Sequence, residues 1–385
     1  MGVLSGVRVV EIAGIGPAPF CGMLFADMGA EVILVERKDV KAGDPLDLGD
    51  KAIVHRGKRS VALDLKDPRA VAAVLRLVAR ADALIEGMRP GVMERLGLGP
   101  EVCLERNPRL AYGRMTGWGQ DGPLAKAAGH DINYVALSGA SWFGGAPGTP
   151  PVVPPTLVGD IGGGALYLAI GVLAAILNAR HSGRGQVIDA AIVDGSASLM
   201  NLLLSLHAAG RQPFDRGRGL LDGPPWYGCY ACADGGFVTV GAIEPQFHAV
   251  LIEKLGLRGD PDFNHPCDPR TWGSMRGRLE AIFAARPRRY WIELLEGTDA
   301  CFAPVLNPDE AAEHPQLRAR AVYARRDGML QAEPAPRFSA FPGGVPGPVP
   351  RRGEHGAEVL MAAGLSAAEV ADLIPGCDVG PAGRL

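Results

Sequence analysis

Strand-length apolar runs alternate with helix-length segments through the first 115 residues, and this alternation constrains the chain more than any other feature. Val7 to Ile12 is a short apolar run, Pro17 to Met28 fits a helix, and Glu31 to Val35 is a second strand. Val61-Ala62-Leu63-Asp64-Leu65 predicts a third strand, followed by a helix from Pro68 to Ala81. Asp82 to Glu86 is a fourth strand and Leu110 to Met115 a fifth. Repeated strand–helix–strand units imply an α/β fold, a parallel sheet wrapped by helices. Ligands of such sheets bind outside the carboxyl ends of the strands. Gly14, Glu36-Arg37, Gly87 and Thr116-Gly117 should gather there.

Beyond residue 115 the pattern loosens. Ile161 to Leu177 carries no charge over seventeen residues, the lower limit for a membrane span. With no other candidate span, it is expected to be a buried core helix. Gln186 to Ile192 suggests another strand and Gly195 to Leu206 a helix, and Gly210 to Pro225 is linker-like. From Trp226 to Leu306 the reading changes to a hairpin turning at Asp234-Gly235-Gly236, three helices and a strand. A Pro/Gly-rich stretch from Pro334 to Pro350 leads into a last helical segment, Glu354 to Ile374. A chain of 385 residues is long enough for two cores. A large domain over 1–190 is expected, then a linker over 191–225, a small domain over 226–310, and a returning segment over 311–385.

A net charge of −3 provides no general attraction to nucleic acid or anionic membrane. The N-terminus lacks the charged start and apolar block of a secretory signal, so a soluble, cytoplasmic protein is expected. Seven cysteines spread thinly over the chain do not suggest a disulfide framework. Cys229 and Cys232 have CxxC spacing but no second pair, and on a strand they would point to opposite faces. No metal site is expected.

Three acid–base groups stand out. His130 lies in Gly129-His130-Asp131-Ile132-Asn133-Tyr134, Asp160 in Gly159-Asp160-Ile161-Gly162-Gly163-Gly164, and Glu244 in Gly241-Ala242-Ile243-Glu244-Pro245-Gln246. An imidazole titrates nearest neutral pH, and a carboxylate across a substrate provides a second proton station. Each also has a plain structural reading: Asp160 as a helix N-cap, Glu244 as a turn residue, Asp131 as a backbone donor or a cap. His207, His248, His265 and His314 lack comparable surroundings and read as structural. Gly14-Ile15-Gly16-Pro17-Ala18-Pro19, with Glu36 farther on, mimics a dinucleotide fingerprint. Pro17 has no N–H for a pyrophosphate, and Pro19 replaces a packing glycine, which argues against NAD(P). Arg37, Arg56, Lys58, Arg59, Lys66, Arg89 and Arg95 instead suggest a basic rim suited to phosphates.

The sequence resembles the family III CoA-transferase superfamily, and within it the α-methylacyl-CoA racemases. Matching segments include Leu4 to Glu11, Gly29-Ala30-Glu31-Val32, Leu63-Asp64-Leu65-Lys66, Arg89-Pro90-Gly91-Val92-Met93-Glu94-Arg95-Leu96-Gly97 and Met115 to Gln120. They continue through the His130 and Asp160 segments, Gly185 to Ala190, Pro336 to Ser339 and Gly353 to Leu360. The resemblance implies an interlocked homodimer with a Rossmann-like large domain and a smaller α+β domain. It implies an acyl-CoA substrate, with coenzyme A part of that substrate and no prosthetic group. By the same resemblance CoA would contact Arg37, Leu63, Asp64, Leu65, Lys66, Gly87, Met88, Arg89, Arg95, Gly129 and Tyr134. His130 and Asp160 would come from one subunit and Glu244 from the other. Transferases of the superfamily are expected to use the Asp160 carboxylate as nucleophile. The racemases keep it and add the histidine of Gly-His-Asp and the glutamate of Gly-Ala-Ile-Glu-Pro, and this chain has both.

The implied reaction is racemisation of 2-methylacyl-CoA by removal and return of the α-proton through an enolate. Glu244 would orient the imidazole, and backbone N–H groups near Asp131 or at a helix start over Gly162-Gly163-Gly164 would stabilise the oxyanion. CoA transfer through an Asp160 anhydride is the alternative, and binding of CoA without turnover a third. Met88, in place of a frequent aromatic, and the leucine-rich Ser196 to Leu206 leave the acyl group open: branched fatty acyl, steroid side chain or arylpropionyl.

Overall fold

The computed structural model describes residues 2–39, 47–263, 268–341 and 346–375. Its backbone contacts divide the chain into two units. The first comprises residues 1–140, 153–199 and 325–385, and the second comprises 141–152 and 200–324. The 191–225 stretch expected as a linker contains two helices, Ile192–Leu199 and Asn201–Ala208.

Six strands form the sheet of the first unit: β1 (Arg8–Ile12), β2 (Glu31–Glu36), β3 (Arg59–Ala62), β4 (Ala83–Glu86), β5 (Ala111–Thr116) and β6 (Gln186–Ala191). Their spatial order is β3-β2-β1-β4-β5-β6, and every pairing is parallel. The strand order reverses between β1 and β4, the place where an open α/β sheet makes its crevice. Gly14 and Gly87 follow these two strands, and a Cβ on Gly14 would lie 3.9 Å from the Gly87 Cα. The expected α/β fold is present.

The third strand starts two residues earlier than its apolar pattern suggests and ends at Ala62. Leu63 adds one further bond, its N–H donating to the Glu36 carbonyl at 2.8 Å. Asp64 then turns the chain, its carboxylate accepting from the Lys66 N–H at 3.0 Å. A side chain that bonds the backbone two residues on competes with the ladder and ends it.

Both faces of the sheet are covered. On one, Val10, Ile33, Val61, Leu84 and Tyr112 pack with the helix Pro68–Val78 and the returning helices Gly356–Ala362 and Ala367–Leu373. On the other, Val9, Val32, Ile85 and Ala111 meet the helix Pro17–Asp27 and the helix Leu166–Ser182. The last helical segment is therefore two helices. Ser366 starts the second, accepting from the Glu369 N–H.

The charge-free segment is not wholly buried, contrary to expectation. It belongs to one continuous helical run, Leu157–Ser182, long and apolar enough on composition to cross a membrane. Leu168, Val172, Ala175 and Ile176 face the sheet, while Leu166, Ile170 and Leu177 are exposed, Leu177 at 68%. A helix lying on a sheet buries one stripe only, and the opposite stripe here is apolar as well.

The second unit is built on an antiparallel sheet of β7 (Tyr227–Ala231), β8 (Phe237–Gly241) and β9 (Phe302–Val305). Its core gathers Trp226, Tyr230, Val238, Leu251, Met275, Phe283 and Trp291 beneath the helices Pro245–Lys254, Trp272–Ala284 and Arg288–Leu295. Cys229 is exposed and Cys232 buried, the opposed faces expected of the CxxC pair.

Candidate active site

Asp160 lies inside a helical turn, not at a helix start. Residues Leu157–Ala165 form a π-helical stretch entered through Thr156, which holds a left-handed φ of 63°. Wide turns of this kind recur at functional sites. The carboxyl of Asp131 holds the entry in place, Oδ1 accepting from the Asp160 N–H at 2.8 Å and Oδ2 from the Thr156 N–H at 3.3 Å. Asp131 therefore positions Asp160 through its side chain, and Asp160 is not the N-cap the sequence suggested.

His130 precedes the helix Asp131–Leu137, its backbone N–H donating to Asn133 Oδ1 at 3.0 Å. That bond fixes the main chain while the imidazole stays exposed. Burial pushes the Asp160 carboxyl up to about 6. The Asp131 charge pushes it farther up, and the His130 imidazole pulls it down. A carboxyl titrating near neutral pH beside an imidazole can both give and accept a proton under ordinary conditions.

The surrounding wall is made by close approaches. Gly16 turns at φ 72°, and a Cβ there would lie 3.3 Å from Asp160 Oδ2. A Cβ on Gly159 would strike Asp131 Oδ1 at 2.3 Å, so only glycine lets that carboxylate reach the turn. Tyr134 is buried, its hydroxyl donating to the Gly129 carbonyl and its ring meeting Trp118 edge-on at 4.6 Å. It forms a wall, and its phenol is already engaged. The glycine triplet at 162–164 is not at a helix start. A Cβ on Gly163 would lie 2.6 Å from the Ser196 N and Oγ, so the run serves packing against the helix Ile192–Leu199.

The expected basic rim divides in two. Arg37, Lys66, Arg89 and Arg95 are exposed, and among the described residues none makes an ion pair. Arg56 and Lys58 precede β3 and Arg59 begins it, at the opposite ends of the strands, and each is matched. Arg56 pairs with Asp27 at 2.6 Å, Lys58 with Glu11 at 2.6 Å, and Arg59 with Glu31 and Glu358 at 2.7 Å each. These three are structural cations and not phosphate ligands. Glu36, the acid of the false fingerprint, is buried; it accepts from Ser60 Oγ and pairs with Arg352 at 3.4 Å.

Of the other expected CoA contacts, Leu63 is fully buried, which leaves only its main chain for a ligand. Asp64, Gly87 and Arg89 are exposed, Leu65 and Met88 half-buried. The loop Gly87-Met88-Arg89 is held by Glu86, whose buried carboxylate accepts from the Met88 N–H at 2.6 Å and from Arg114 at 2.9 Å. Arg114 also bridges Glu94 at 2.8 Å. Sequence reasoning missed this brace; its signal was an acid ending one apolar strand and an arginine inside the next.

Glu244 stands in the second unit, immediately before the helix Pro245–Lys254. A cavity of 1270 Å³ in the same unit is lined by Tyr227, Cys229, Trp272, Arg276, Cys301 and Phe302, among others; His130 and Asp160 are not among its lining residues. His207, His248 and His314 are held as structural residues. His207 stacks on Phe214, His248 is buried against Trp226, and His314 bonds Glu296. His265 lies outside the described residues. Among the described residues, no three His, Cys, Asp or Glu side chains are grouped to hold a metal ion.

A doubly wound sheet whose rim carries four cations with no ion-pair partner among the described residues, and a raised carboxyl within electrostatic reach of an imidazole, defines the class: the chain belongs to CoA-transferase family III, whose model matches residues 4–356. Among its relatives, the chain is 44% identical over 375 residues to the α-methylacyl-CoA racemase of Mus musculus, covering 96% of each. It is 40% identical to the racemase of Homo sapiens, again over 96% of each. Identity falls to 31% with the acetyl-CoA:oxalate CoA-transferase of Acetobacter aceti, over 92% of this chain and 94% of that protein. A CAIB/BAIF family protein from Brucella suis matches the fold at a TM-score of 0.78 and 27% identity, over 94% of this chain and 99% of that one.

Proposed function

We propose that this protein racemises 2-methylacyl-CoA thioesters by carrying the α-proton off one face and returning one to the other. The observation that carries the reading is a carboxyl raised to about 6 at Asp160 within electrostatic reach of His130, in a chain 44% identical to a named racemase over 375 residues. The α-hydrogen of a thioester is weakly acidic, so a positioned base and acid both matter. His130 and Asp160 flank the α-carbon in this reading, one as base and the other as acid, with the roles exchanged for the opposite enantiomer. Planarity at the enolate erases the configuration. Arg37, Lys66, Arg89 and Arg95, with the main chain at Leu63 to Lys66 and Gly87 to Arg89, hold the CoA phosphates. Gly129 and Tyr134 border the thioester end.

Glu244 belongs to the same reading as the partner subunit's contribution in a homodimer, orienting the imidazole. Support for association is the exposed apolar stripe of Leu166, Ile170 and Leu177 on one helix, with Ile132 and Leu137 exposed on the helix Asp131–Leu137. An exposed apolar stripe of this kind marks an interaction face.

The test is α-proton exchange of one 2-methylacyl-CoA in D₂O with no acceptor acid present. The protein should exchange the proton and scramble the stereocentre, and His130→Ala and Asp160→Ala should each lower the rate by roughly 10²–10⁴. Exchange at the parental rate in both variants would remove the assignment. CoA transfer to an added carboxylate, with no exchange in its absence, would replace racemisation by the transferase reading.

A further inference from the structure

The helix Pro17–Asp27 borders the candidate site, yet it has no cap of its own: no side chain bonds its first turn, and that turn contains no acid. Two of its first three residues are prolines, which cannot donate. Besides its apolar packing, side chains of one tripeptide, Arg56-Gly57-Lys58, hold its two ends. At the far end, Arg56 Nε and Nη2 donate to the two Asp27 oxygens at 3.0 and 2.6 Å. At the near end, Lys58 Nζ donates to Glu11 Oε1 and Oε2 at 2.8 and 2.6 Å and to the Pro19 carbonyl at 2.9 Å. Both side chains of the Glu11–Lys58 pair are completely inaccessible. The helix lies directly on them, since a Cβ at Gly22 would sit 1.8 Å from Glu11 Oε2.

The same first turn faces Asp160. Gly16 approaches its carboxylate as described, and a Cβ on Gly164, one turn after Asp160, would lie 3.0 Å from the Pro17 Cβ. The chain of contacts thus runs from Lys58 to the Pro19 carbonyl, to the Gly16–Pro17 turn, and to Asp160.

We propose that the buried Glu11–Lys58 pair is a positioning pair for Asp160, setting through the Pro19 carbonyl how closely the Gly16–Pro17 turn covers that carboxylate. A buried ion pair is a poor source of stability, since desolvating two charges offsets their attraction. Fixing the place of an uncapped helix is a use that weakness does not touch. The route is mechanical. The charged groups acting on Asp160 are Asp131 and His130, while Glu11, Lys58 and the Asp194 of the neighbouring helix are not among them. Burial is the main cause of the raised Asp160 carboxyl, so withdrawing the turn admits water and lowers it.

The inference rests on Asp160 being a proton carrier, and the experiment separates the two. Exchange of 2-methylacyl-CoA is followed against pH in the parent, in Asp160→Asn, and in the double variant Glu11→Leu/Lys58→Met. The double variant replaces the pair by apolar groups of similar volume, which folded proteins commonly accept. Its acid limb should move down by about 0.5–1 pH unit and kcat should fall about tenfold, with KM within about twofold because the rim cations are untouched. A folded double variant with the parental limb and kcat overturns the proposal. Should it not fold, Glu11→Asp decides: it keeps both charges but draws the ammonium off the Pro19 carbonyl, so a smaller shift of the same sign is expected. A parental limb and kcat there overturn the proposal too. An acid limb that survives in Asp160→Asn removes Asp160 as the carrier, whatever the pair does.

Discussion

The two ends of the parallel sheet differ in how completely their cations are matched. At the amino ends and beneath the helix Pro17–Asp27, every cation from Arg56 to Arg59 has a carboxylate within 2.7 Å, and two of the pairs are almost wholly buried. At the carboxyl ends Arg114 is braced by Glu86 and Glu94, but Arg37, Lys66, Arg89 and Arg95 have no ion-pair partner among the described residues, and the half-buried Asp160 has a second carboxylate for a neighbour. Matched charge holds the frame together. Unmatched charge marks where a polyanion and a travelling proton would complete the balance.

The largest expected effect tests the matched end. Arg56→Ala strands Asp27, and Lys58→Met alone strands Glu11; each should lose about 3–5 kcal/mol of stability in urea titration, because removing one partner leaves an uncompensated buried charge. A loss below about 1 kcal/mol at either site would erase the distinction between the two ends. The unmatched end should respond in the opposite sense. Arg89→Ala and Arg95→Ala are expected to change stability by no more than about 0.5 kcal/mol, while KM for an acyl-CoA rises roughly tenfold through loss of a charge-assisted contact. Steady-state kinetics with a CoA thioester check this, and an unchanged KM in both would remove them from the nucleotide site.

Why the sequence could not separate these cations is a matter of topology. Seven of them fall near predicted strand ends, and spacing alone does not say which end. The loop after β2 leaves from the carboxyl edge and must deliver the chain to the amino edge before β3 can run parallel. Residues late in that loop, Arg56 and Lys58, therefore arrive at the far side. Their partners Asp27 and Glu11 lie 29 and 47 residues away and carry no local sign of the pairing. The alternation of strands and helices was legible because it is local, as was the chemistry of Gly-His-Asp. The π-helical entry to Asp160 was not. It depends on Asp131 reaching across 29 residues to its backbone, and in one dimension Asp160 looks like an ordinary helix cap. The exposed stripe on the helix at 166–182 was also hidden, because a charge-free segment reads the same whether one face or both are covered.

The smallest expected effect concerns Asp160 itself, and it sharpens the comparison by sign. Burial works against the Glu31 carboxylate, yet its hydrogen bonds to Arg8 and Arg59 hold it below the usual carboxylate range, whereas burial and the Asp131 charge raise the Asp160 carboxyl from 3.8 to about 6. A carboxyl whose folded value exceeds its unfolded value binds more protons when folded, so its contribution to stability falls as pH rises from about 4 to about 6. At pH 7 the ionised group is a burden on the fold. Asp160→Asn should therefore be more stable than the parent at pH 7, by about 1 kcal/mol once solvent screening of a half-buried group is allowed for. The advantage should be mostly gone by about pH 4, where the parent's folded carboxyl is protonated and the unfolded one is about half so. Urea titrations of the two proteins at pH 4, 5.5 and 7 measure this directly. A variant that is less stable at pH 7 would mean that Asp160 is held by interactions favouring its charged form, as Glu31 is at the amino end of the sheet, and the contrast between the two ends would then fail at the carboxyl that matters most to it.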